Sequence, residues 1–180
     1  NYVDSNVLIE ELTQALLKIN EAEFPQQKGL MYMLMGDLLL RKNQLEKSNE
    51  YFDKSFNLIK GNRAELDYYL RKSEIALKKR DYLSAKENLL SGFALFNEKE
   101  MYEYPLYLNK LGYVYLLLGD IDNSNQCLYE SLHYQKKNGF LNLFSSTYLN
   151  LSHLAKIEKN ERIVKFNLDK ALETNQGDVQ

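Results

Sequence analysis

The chain has 180 residues, 44% of them apolar, with 23 basic side chains against 25 acidic ones for a formal net charge of −2. The apolar share is enough for a continuous core and excludes a disordered chain. The missing basic surplus argues against nucleic-acid binding by this segment, and no apolar run approaches the roughly 20 residues needed to span a bilayer, so membrane insertion by this segment is not expected.

In chain order, apolar residues spaced three, four and seven apart predict helices near 5–19, 27–42, 45–60, 64–79, 82–98, 101–118, 121–138, 141–158 and 161–174, with no sustained strand alternation. The first carries Leu8, Leu12, Ala15 and Ile19 on one face and has no partner before it, so 1–24 reads as a leading helix, either a cap or half a repeat. Residues 25–180 then form four helix pairs, about 27–60, 64–98, 101–138 and 141–175. Within them a small residue recurs at Gly36, Ser73, Gly112 and Ser152, in steps of 37, 39 and 40 residues. The third copy is the fullest, with Leu108, Leu111, Gly112, Tyr115, Gly119, Asp120, Ser124, Leu128 and Ser131.

This pattern resembles the tetratricopeptide repeat, whose usual unit is about 34 residues. The resemblance implies an all-α, right-handed α-solenoid of helix-turn-helix repeats with about nine helices. Two departures stand out: Lys72 occupies a place where the family usually has leucine, and the family's proline at the end of the second helix is absent throughout. The small markers let each first helix lie close to its second, where Ser48, Ala85, Ser124, Ser55, Gly92, Ser131 and Ala171 face them. Tyr32, Phe52, Tyr69, Leu89, Tyr115, Leu128, Tyr148 and Leu168 are expected to fill the space between successive pairs. Asn43, Asp81, Asp120 and Asn160 lie between helices, where they can cap orphan amides. The start at Asn1, and Glu173-Thr174-Asn175-Gln176 reading as the lead-in to a further repeat, suggest a segment of a longer protein.

Catalytic chemistry finds little support. Neither His133 nor His153 has a Cys or carboxylate at metal-ligand spacing, and Cys127 and His133 fall on different faces of one helix. The glycines stand singly and form no phosphate loop. No catalytic residue, metal site or cofactor is therefore expected. Cys127 is the only cysteine, which excludes an internal disulfide.

The expected partner is a protein or peptide lying in a concave groove, with a homodimer as a further option. In the family the resemblance points to, first helices line that groove. Mapped through the alignment, the lining is Met33, Asp37 and Leu40, then Leu70, Glu74 and Leu77, then Asn109, Tyr113 and Leu116, then Leu149, His153 and Lys156. Tyr113 lies about 200° around the helix from the core position Tyr115 and so faces inward. Asp37 and Glu74 are expected to make one end acidic and suited to a basic ligand. The family's clamp for a C-terminal carboxylate is missing, because Met33, Asp37, Leu106 and Lys110 hold its places. The function expected is a non-catalytic interaction scaffold in a bacterial protein. The alternative is the ligand-sensing region of a bacterial transcriptional regulator or signalling protein, similar to peptide-pheromone receptors, in which Asn109 would hold the peptide backbone. The expected compartment is the cytoplasm, with a periplasmic segment of a membrane-anchored regulator as the alternative.

Overall fold

The computed structural model describes residues 5–97 and 101–175. Residues 1–4 of the leading segment, residue 98 of the fifth predicted helix and Gln176 of the predicted lead-in lie outside the described residues. Among the described residues the regular structure is wholly helical, with nine α-helices and one short 3-10 turn. The chain is an all-α helical repeat of the α-solenoid type. No helix among the described residues is long and apolar enough to cross a membrane. Two compact units divide it, Asn1–Arg80 and Asp81–Gln180.

The first unit holds α1 (Ser5–Lys18), α2 (Pro25–Arg41), α3 (Leu45–Leu58) and α4 (Asn62–Lys78). Pro25 opens α2, where a missing N–H costs nothing. Gly36 lets α3 approach: a Cβ there would lie 2.6 Å from the Phe52 ring, and Ser48 Oγ donates to the Gly36 carbonyl at 2.8 Å. Leu40, Phe52 and Ile75 form the core here, with Met33, Leu45 and Tyr68 packed against it. Lys72, the family outlier, has its own partner. Its Nζ lies 3.0 Å from Asp53 Oδ1, and Tyr68 donates its hydroxyl to the same oxygen at 2.8 Å. Burial, followed by that hydrogen bond, pushes the Tyr68 phenol above its usual range.

The second unit holds α5 (Tyr82–Phe93), α6 (Glu103–Leu117), α7 (Ile121–Asn138), the 3-10 turn Leu141–Leu143, α8 (Phe144–Ile157) and α9 (Glu161–Asn175). The α6–α7 pair repeats the α2–α3 device. A Cβ on Gly112 would lie 2.6 Å from Leu128 Cγ, and Ser124 Oγ donates to the Gly112 carbonyl at 2.8 Å. α5 stops at Phe93, short of the predicted 98. The chain tightens there so that Phe96 can set its ring edge-on to Tyr104 and Tyr107, at 5.4 and 5.3 Å. The predicted helix 141–158 opens as the 3-10 turn and becomes α-helical only at Phe144. Gln135 is fully buried, and its Nε2 donates to Ser131 Oγ and Thr147 Oγ1, both at 2.7 Å, joining α7 to α8.

One turn recurs after every first helix. Asn43 (φ 59°), Arg80 (60°), Gly119 (79°) and Lys159 (57°) are all left-handed, each seven residues beyond its small marker. In three of them the next residue's N–H closes the turn: Gln44 onto Leu39, Asp120 onto Tyr115 and Asn160 onto Ala155, all at 2.9 Å. The capping residue therefore follows the turn residue. Asp81, Asp120 and Asn160 accept from the amides of Ser84, Asn123 and Ile163 at 3.1, 3.2 and 3.3 Å. Asn43 does not cap as predicted. Its short polar side chain tolerates the left-handed conformation, so it takes the turn position, and the cap position falls to Gln44, which makes no side-chain cap bond.

Leu168, expected to fill the space between pairs, is 40% exposed, because among the described residues no helix lies beyond α9 to cover it.

Candidate functional site

The residue after each small marker, Asp37, Glu74, Tyr113 or His153, sits at the same place on α2, α4, α6 or α8. The first-helix faces of each unit are its candidate site.

In the first unit Arg71 joins the two acids. Its Nε lies 2.9 Å from Asp37 Oδ1, and its Nη1 lies 3.4 Å from Glu74 Oε2. Burial raises the Asp37 carboxyl above its ordinary value, with the Arg71 charge opposing that rise. The Arg71 guanidinium between the two carboxylates offsets one of their two charges. Leu70, predicted to line the groove, is buried, and so is Leu40, which belongs to the core. Met33 is half-buried against that core. Within α2, Leu30 and Leu34 are open to solvent, 58% and 49% exposed. Leu30, Leu34 and Asp37 fall at i, i+4 and i+7, so they share a face. That spacing is the signal in the sequence that marks them. A cleft of about 510 Å³ runs beside them, from Leu30 and Met33 to Ile59–Ala64 and Asp67.

In the second unit Asn109 is corrected. It is 4% exposed; its Nδ2 donates to Ser146 Oγ at 3.0 Å, and its Oδ1 accepts from Asn150 Nδ2 at 2.8 Å. The amide clasps α6 to α8 and is not offered to a peptide backbone. Leu116 is also corrected: it is buried in the core with Leu128, Leu132 and Phe144, because α8 closes over that side of α6. Tyr113 is half-buried, with its ring against that same core. His153 and Lys156 are exposed. Leu149 is 42% exposed, and it lines a cleft with Ser145, Leu168, Ala171 and Leu172.

Cys127 is half-buried, and burial, reinforced by the nearby Glu130 and Asp120, pushes its thiol up to about 11. The His133 ring stands edge-on to Tyr134 at 5.4 Å. Among the described residues, no group of three or more His, Cys, Asp and Glu side chains is arranged to hold a metal ion.

No protein-family model matches the sequence, and no curated protein does. Among solved structures the chain is similar to BtubC (BKLC) from P. vanneervenii, with a TM-score of 0.74 and 17% identity, over 97% of this chain and 74% of that one. The likeness is one of fold alone.

Proposed function

We propose that the chain is a non-catalytic module of tetratricopeptide-repeat type that holds a protein or peptide on the first-helix faces of its units. One observation carries the reading: those faces leave apolar and aromatic side chains at the surface beside a few fixed polar ones. Leu30 and Leu34 flank the Asp37–Arg71–Glu74 cluster in the first unit, and Tyr113 occupies the equivalent face in the second. Apolar groups give a ligand area, and a small number of polar groups give it register. A half-buried tyrosine whose ring already rests on the core loses little freedom on binding, which suits it to anchor a partner.

The test is a peptide selected from a random display library on the purified protein and then titrated by fluorescence anisotropy. Tyr113→Ala is expected to weaken binding by about 1–2 kcal/mol. Tyr129→Ala, which removes an exposed ring from the second helix α7, should leave it unchanged. Loss with Tyr129→Ala alone would move the ligand to the second helices and end the proposal.

A further inference from the structure

We infer that Asn138 is a site of spontaneous modification, gated by the turn that ends α7, at which the side-chain amide is lost to give aspartate or isoaspartate. Asn138–Gly139 is the only Asn-Gly pair in the sequence. In such a pair the glycine has no Cβ to screen its backbone nitrogen, and that nitrogen can attack the asparagine Cγ. The amide proton passes to solvent, Nδ2 leaves as ammonia, and a succinimide ring remains. Water then opens either ring carbonyl, giving aspartate through one and isoaspartate through the other. In sum an NH2 group is exchanged for OH, water is consumed and ammonia released, and no oxidant or reductant enters.

The fold holds the reacting atoms apart. Asn138 is the last residue of α7, and Gly139 follows it in the left-handed conformation, at φ 70°. Side chains on a helix lean toward its N-terminus, whereas the next backbone nitrogen lies toward its C-terminus. The Phe140 N–H donates to the Gln135 carbonyl at 3.0 Å and closes the turn across the pair. Gln135 is itself fixed, fully buried and bonded to Ser131 and Thr147. Ring closure therefore requires the last turn of α7 to open, and only the open fraction reacts.

The product is less suited to the closed turn than the amide. Nδ2 of Asn138 is buried with no hydrogen-bond partner. A carboxylate oxygen in its place is a buried charge at the carbonyl end of a helix, where the dipole is already negative. Lys136 and Lys137 in that turn are exposed, so water screens them from it. Isoaspartate also lengthens the backbone between positions 138 and 139, which disturbs the bond from Phe140 to Gln135. The modification is one-way, and it leaves the end of α7 looser than before.

The experiment incubates the whole protein, the same protein unfolded in urea, and a peptide of residues 135–141 in the same mildly alkaline buffer. Mass spectrometry of the digested samples locates the exchange of NH2 for OH and follows its rate. Position 138 is expected to react at least about tenfold more slowly in the folded protein than in the peptide, and the unfolded protein should match the peptide. Asn138→Asp is expected to lower the melting temperature by at least about 2 °C, and Asn138→Ala, which adds no charge, should lower it less. Folded protein that reacts as fast as the peptide would overturn the inference. So would an unfolded chain that reacts at other asparagines while position 138 stays intact, or a loss with Asn138→Asp no greater than with Asn138→Ala.

Discussion

At Gly112 a Cβ would meet both the side chain and the backbone of Leu128, 2.6 Å from Cγ and 3.3 Å from the backbone nitrogen. The side chain can rotate away, but the backbone of α7 cannot without spoiling its helix. Gly112→Leu is therefore expected to cost roughly 1–3 kcal/mol through overpacking, while Lys137→Ala stays within about 0.5 kcal/mol; denaturant midpoints compare the two. Asn109→Ala belongs to the same scale. It removes a buried amide and leaves Asn150 without its acceptor, so it should destabilise the fold by about 1–3 kcal/mol. A midpoint equal to that of the parent would remove the clasp. Cys127 yields a chemical prediction. With its thiol near 11 against an ordinary 9.0, the thiolate fraction at pH 8 falls about a hundredfold. Iodoacetamide should label the native protein slowly, and the urea-unfolded protein at the rate of a free thiol. Gly36 and Gly112 were legible in the sequence because a small residue against Phe52 or Leu128 is a local requirement that repeats. Asn109 and Arg71 were not, because periodicity tells which face a residue occupies and not which distant side chain will close over it. The partners of Asn109 lie 37 and 41 residues away, and Asp37 lies 34 residues from Arg71.

At the scale of the helix pair, the left-handed residue and the cap after it decide where one helix ends and the next begins. Lys159 holds a positive φ without being glycine, a conformation that costs an L-residue roughly 1–2 kcal/mol. Glycine relieves that cost but adds freedom to the unfolded chain, so Lys159→Gly should stabilise by up to about 1 kcal/mol. Gly119→Ala should do the reverse purely through the backbone, since open space surrounds Gly119. Gln44 supplies no cap where Asp81, Asp120 and Asn160 do. Gln44→Asp is expected to raise stability by about 0.5–1 kcal/mol, and an unchanged thermal midpoint would mean that α3 needs no cap. The helices were readable to within a few residues because their apolar spacing is strong. The early stop of α5 was not, because Phe96 leaves the helix for Tyr104 and Tyr107, a tertiary gain that local pattern does not carry.

For the molecule as a whole, the steps of 37, 39 and 40 residues set the same small marker in both units. The four residues that follow its markers, Asp37, Glu74, Tyr113 and His153, keep one place on their helices. Their surroundings differ: two are tied to Arg71, one rests on a core, and one is exposed. The most direct test is a nuclear magnetic resonance shift map of the isotope-labelled protein titrated with a peptide selected for binding. The largest changes are expected on the first helices, centred on Leu30, Leu34 and Arg71 in the first unit or on Tyr113 and His153 in the second. Changes confined to the second helices α3, α5 and α7 would contradict it.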